Sequence, residues 1–248
     1  MGDFDPGEAL KRIEKLYGAI ARGDPLPDVA EGEPPQKGER RAVIHYPAQA
    51  PAVLAGFKTP NGREPDSLVL DLVEAALSYG EGARLKRALI YEQELCVDAN
   101  VYFGWRMDPG LFQISLKLNP GVAPSRAESS LWAELSRFAD EPMREAELQR
   151  AKNFVRSGLL RGLQTANGRA HTLGQMEVML GSWRAFLDLP DRYQAVTPAD
   201  VQRVARATFA PHRRNLVTLL PGELPEGVQA CSATWRSRRC RSRRSRPG

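Results

Sequence analysis

The residues that could do chemistry in this chain are few, and most stand at the wrong spacing for it. Two histidines on one helical face, with a glutamate between them, would hold zinc and activate its water. The chain has three histidines, His45, His171 and His212, far apart in sequence. None stands in a His-x-x-Glu-His run, so no zinc site of that type is read. The cysteines are Cys96, Cys231 and Cys240. Their number is odd, two lie in the tail, and neither a disulfide framework nor metal-ligand spacing results. Cys96 follows a helix end in an apolar setting, with no histidine near it in sequence, and reads as a structural thiol. No Gly-x-Ser-x-Gly elbow is present. Gly80-Glu81-Gly82 could suggest a phosphate cradle, but the P-loop lysine and its serine or threonine are missing, so it reads as a helix stop.

Bulk properties narrow the classes further. With 248 residues and 42% hydrophobic content, the chain can build a substantial core. Its formal charge of +5 is set by seven arginines between Arg236 and Arg246, without which the remainder is at −2. A near-neutral body gives no reason to expect nucleic-acid binding. The arginine-rich segment has almost no apolar residues and reads as a disordered, solvated appendage over 223–248, past a pattern that ends near Pro221. Its alternative is an RNA-binding arm, because guanidinium groups pair bidentately with phosphate. No run of 18 apolar residues exists, so no membrane span is read. The opening Met-Gly-Asp-Phe-Asp lacks the basic-then-apolar pattern of a signal peptide, and the compartment stays open.

The elements follow from periodicity. Asp5, Pro6 and Glu8 open a helix whose face is Ala9, Ile13, Leu16 and Ile20. Residues 23–40 are rich in proline and glycine and read as a linker. Strands are expected at 41–46 and 52–58. Asp66 or Ser67 should cap the next helix, with Val69, Leu72, Val73, Ala76 and Leu77 as its stripe. After Gly80 and Gly82 comes a short basic amphipathic helix carrying Leu85, Ala88 and Leu89 inward. A hairpin follows, closed by Asp108-Pro109-Gly110. Pro124-Ser125 opens one helix and Pro142-Met143 another. Leu148, Ala151, Val155, Leu159 and Leu163 form the latter's buried face, and glycines 158, 162 and 168 break it before His171. Thr197, Pro198 and Asp200 open the last helix with a capping pattern, and 215–220 closes as a strand. Segregated strands and helices predict an α+β fold, a mostly antiparallel sheet with helices layered on one face.

The run from Gly80 to Leu85, then Tyr91-Glu92-Gln93-Glu94-Leu95 and a strand, resembles the insulinase-like (pitrilysin) zinc metallopeptidases, in their C-terminal, non-metal half. Asp108-Pro109-Gly110-Leu111-Phe112, Glu147 to Asn153 and Val196 to Val201 extend the resemblance from about Arg40 to Pro221. It implies that 41–222 is one such domain and that 1–22 is the remnant of a preceding homologous one. It implies a non-catalytic half that encloses a peptide chamber with a zinc-bearing His-x-x-Glu-His half, or as a homo- or heterodimer. No cofactor is expected in this chain, and zinc is expected in the partner half. The alternative is a structural or assembly subunit of the same fold. The family's second half often supplies an arginine and, seven residues later, a tyrosine that hydrogen-bond the substrate backbone and the oxyanion. Alignment on Glu-Gln-x-Leu puts Ile90 and Val97 there, and neither can donate. Arg84 and Tyr91 have the separation in a different register, two turns apart on one helical face, and are the candidate substrate-binding pair.

Overall fold

The computed structural model describes residues 2–24 and 34–223. The proposed tail and the centre of the proposed linker lie outside the described residues. The fold is organised by helix α2 (Pro65–Ser78), of whose fourteen residues eleven are buried. The whole expected stripe, Val69, Leu72, Val73, Ala76 and Leu77, lies in the core. Its start differs from the expectation. Glu64 occupies the capping position and Pro65 the first turn, because the fixed φ of proline suits a site whose N–H would be unpaired anyway. Asp66 instead receives Arg203 at 2.8 and 3.1 Å, and the Ser67 hydroxyl donates to the Asn61 carbonyl.

The described residues form a five-stranded sheet. Its strands are β1 (Arg40–Tyr46), β2 (Ala52–Thr59), β3 (Cys96–Tyr102), β4 (Gly110–Leu118) and β5 (Asn215–Pro221), in the order β1-β5-β2-β4-β3. Only β1 and β5 run parallel; the other three pairings are antiparallel. β3 and β4 alternate buried and exposed, the mark of a sheet with one covered face. Val53, Ala55 and Phe57 of β2 meet Phe112, Ile114 and Leu116 of β4 in the single core.

Helices α3 (Pro124–Asp140), α4 (Glu145–Gly162), α5 (Ala166–Leu180), α6 (Ala185–Ala195) and α7 (Pro198–Thr208) complete the covering layer with α2. This is the expected α+β architecture. Helix α4 starts two to three residues later than Pro142-Met143 suggested, with Arg144 as its cap. Leu148 and Ala151 are fully buried, whereas Val155, Leu159 and Leu163 are only partly covered; α4 packs mainly on α2. The break appears where the glycines placed it, between Gly162 and Ala166. Thr197 and Asp200 form a reciprocal capping box. Phe209, just past α7, meets Phe57 and Phe112 edge-on at 5.1 and 5.5 Å and fastens that helix to the sheet.

Helix α1 (Pro6–Tyr17) opens as read, with Asp5 accepting from the Glu8 N–H at 2.8 Å, but it ends before Ile20 and buries nothing. Leu10, Ile13, Leu16 and Ile20 are all exposed. Two substitutions separate the core from this helix. Leu72→Ala should cost about 2–5 kcal/mol in chemical denaturation, since it opens a cavity under the sheet. Ile13→Ala should change the same midpoint by less than about 0.5 kcal/mol.

Candidate functional site

The site is built on the segment that leaves α2 and returns to the sheet as its edge strand. Gly80 takes φ +77°, and a Cβ there would come within 3.1 Å of the Phe154 ring. The position therefore requires glycine on both counts. Gly82 does not share this conformation. The expected basic helix follows over Lys86–Glu92, but it is π-wound, with Gln93 N–H donating to the Ala88 carbonyl at 3.2 Å. Its apolar side is as expected: Leu85, Ala88 and Leu89 are buried. Glu94 then adopts a left-handed conformation, steadied by Asn119, whose side-chain amide donates to its carbonyl at 2.7 Å. Wide π-winding recurs where a helix must re-aim side chains, and composition carries no signal for it.

The structure gives Arg84 and Tyr91 different partners. Arg84 donates twice to Glu147, Nε to Oε1 at 2.7 Å and Nη2 to Oε2 at 2.8 Å, and lies 4.8 Å over the Phe138 ring. Glu147 is almost wholly buried. Burial raises the pKa of that carboxyl, but Arg84 together with Arg150 and Arg144 outweighs it and holds the group below the usual carboxylate range. Tyr91 is 57% exposed and its hydroxyl donates to Glu81. The π-winding explains the divergence, since seven residues no longer amount to two turns. Ile90 packs partly against the core and Val97 stands exposed on β3.

Sequence reasoning did not single out a network of acids beneath this segment. Asp71 and Glu74 sit one turn apart on α2. Asp71 accepts from Trp105 Nε1 at 2.9 Å and from the Tyr193 hydroxyl at 2.5 Å. Glu74 is held by the Tyr79 hydroxyl and the Phe103 backbone N–H. Burial pushes both carboxyls up to about 7, against these hydrogen bonds. The signal available in the sequence was a pair of acids in the middle turns of a helix that is apolar around them.

The remaining candidates stay apart. His45 lies on β1, His171 on α5 and His212 in a short 3-10 turn, and all three are exposed. Among the described residues no group of three or more His, Cys, Asp or Glu could hold a metal ion. The residues present do not fit zinc. Cys96 is buried and its thiol is pushed up to about 11 by that burial, with Asp98 adding to it, which makes it a poor nucleophile. No helix among the described residues is long and apolar enough to cross a membrane.

Comparison with known proteins places this geometry. The family profile described as the peptidase M16 inactive domain matches residues 1–155. The zinc protease PqqE of Helicobacter pylori is 23% identical over 224 residues, which are 89% of this chain and 50% of that protein. A solved protease from Helicobacter pylori superposes with a TM-score of 0.81 at 21% identity, over 89% of this chain and 53% of the other. An inactive peptidase domain from Bordetella parapertussis gives a TM-score of 0.64 at 24% identity, over 73% and 98%. The fold is thus that of a bacterial zinc-protease domain. The chain belongs to the M16 peptidase family, as its inactive domain, and spans about half the length of the curated relatives it matches.

The buried acids give a pH prediction. Both carboxyls keep protons in the folded state at pH values where the unfolded chain has lost them. Folding stability should therefore fall as pH rises from about 4 to about 7 and stay at the lower level above. Glu147, Glu128 and Asp200 are held low, so their contribution is lost only as pH falls below about 4. Denaturant midpoints should be higher at pH 5 than at pH 8. Asp71→Asn, which keeps an acceptor for Trp105 and Tyr193, should narrow that gap by about 1 kcal/mol or more. An unchanged gap in the variant would show that Asp71 ionises normally.

Proposed function

We propose that this chain is the non-catalytic half of a zinc peptidase and walls a peptide chamber together with a separate zinc-bearing His-x-x-Glu-His half. The observation that carries the reading is the match to the inactive M16 domain. Zinc would be supplied by the other half. Residues 1–22 would be the closing piece of a preceding homologous unit. The exposed Leu10, Ile13 and Leu16 of α1 support this, because they need a cover that the described residues do not provide.

Within this reading the contribution of the chain to substrate is an edge. β3 is the last strand of the sheet and presents Val97 and Tyr102 outward, so an extended peptide could add to it by backbone hydrogen bonds. Tyr91 is the exposed member of the candidate pair and would be the one to meet such a peptide. Arg84 would act by holding the segment in place, because freeing its guanidinium strands a buried carboxylate.

The test is peptide hydrolysis by this chain, by a zinc-bearing half from the same source, and by their mixture, with metal content measured on each. Activity in the mixture should exceed that of the zinc half by roughly tenfold or more, as expected when a second wall orients the substrate. Metal should remain with the zinc half. A mixture no faster than the zinc half would assign the chain to a scaffold role. Metal-dependent hydrolysis by this chain alone would overturn the reading outright.

A further inference from the structure

The same turn that carries Gly80 opens onto a cleft of about 270 Å³ between the ends of α3 and α4. Five arginines line it: Arg84, Arg87, Arg137, Arg144 and Arg150. Its carboxylates are fewer and mostly engaged. Glu147 is taken on both oxygens by Arg84, and Glu134 receives Arg137 at 3.2 Å. Glu141 is the third. Arg150 reaches the carbonyl of Gly82 at 3.4 Å, which fixes it against the turn. Arg87 pairs with Glu92 at 3.2 Å, with both side chains more than half exposed, a geometry that holds a charge only weakly. The cleft therefore has a rigid floor, the Arg84–Glu147 pair, and a positive rim. This contrasts with a body whose formal charge, without the arginine tail, is negative.

We infer that this cleft binds a carboxylate-rich segment of a peptide. The inference rests on the peptide-handling reading above and names the class of substrate it favours. Charge complementarity selects an anion, and the planar forks of several guanidinium groups match carboxylates two bonds at a time. A single-stranded nucleic acid held through its bases would need an aromatic face to stack them. Among the described residues no aromatic side chain lines this cleft, and the nearby Phe138 ring is buried beneath Arg84. The small volume suits side-chain carboxylates presented by an extended chain.

The test uses the full chain and three fluorescein-labelled probes: a peptide of six consecutive glutamates, one of six glutamines, and a six-nucleotide single-stranded RNA. Binding is read by anisotropy on wild type and on Arg144→Glu/Arg150→Glu, whose two side chains are exposed and not needed for the core. The glutamate peptide should bind wild type about tenfold or more tighter than the glutamine peptide, and the variant should remove that difference. The difference should also shrink as salt rises. The arginine tail is present in both proteins, so any change between them reports the cleft. Arg87→Glu, on the same rim, should act in the same direction. A glutamate-peptide Kd within about twofold of wild type in the variant would overturn the proposal. So would an RNA that binds more tightly than the peptide and is lost with the same substitutions. Because no zinc half takes part, failure here leaves the pairing with a zinc half standing, and failure of the hydrolysis test leaves the binding result standing.

Discussion

Helix α2 is buried on nearly every side, yet beyond its first turn it carries two acids, and this constraint shapes what surrounds it. A carboxylate without water needs donors, or it keeps its proton. Asp71 and Glu74 meet the demand with donors drawn from three separate places: Trp105 and Phe103 beyond β3, Tyr193 on α6, and Tyr79 at the end of α2 itself. The β3–β4 connection and α6 thus share one hydrogen-bonded node with α2. Their relative placement follows from satisfying two acids rather than from apolar area alone.

A second set of polar contacts fixes the outer helices. Lys152 is buried on α4 and donates to the carbonyls of Gln194 and Val196 at 2.8 Å each. It thereby satisfies the C-terminal end of α6, where carbonyls otherwise go unpaired. Five residues earlier on α4, Glu147 takes Arg84. Next to α6, Thr197 and Asp200 cap α7. The strings that gave the chain its resemblance, Glu147 to Asn153 and Val196 to Val201, are therefore mainly fasteners. They join α4 to the segment after α2, α4 to α6, and α6 to α7. They specify one fold and describe no reaction, which suits a family branch defined as inactive.

Strand positions, the stripe of α2, the glycine break after it and the capping box of α7 were legible in the sequence, because each is a local pattern of period, cap or breaker. The non-metal half of an insulinase-like peptidase was legible too, from several motifs in order. Three things were not. The π-winding of Lys86–Glu92 is announced by no residue type. The role of Arg84 depends on a glutamate sixty-three positions away. The node at Asp71 joins residues up to 122 positions apart. In the last two cases the deciding contact is long-range, and helical spacing alone placed Arg84 and Tyr91 on one face when their partners lie elsewhere.

This explains why a half without catalytic groups can keep an arginine at a site that invites a functional reading. The Arg84 guanidinium is held by two short hydrogen bonds and a ring, and its partner carboxylate is almost wholly buried. Moving it toward a ligand would leave Glu147 charged and unpaired, at a cost on the order of 3–5 kcal/mol. A single hydrogen bond to a peptide carbonyl returns about 1.5–3 kcal/mol at best when one partner is charged. The fold therefore wins the competition for this side chain. Any ligand at the cleft must be met by Arg87, Arg144 and Arg150, which are exposed and lose less by turning toward it, whereas Arg137 is tied to the buried Glu134.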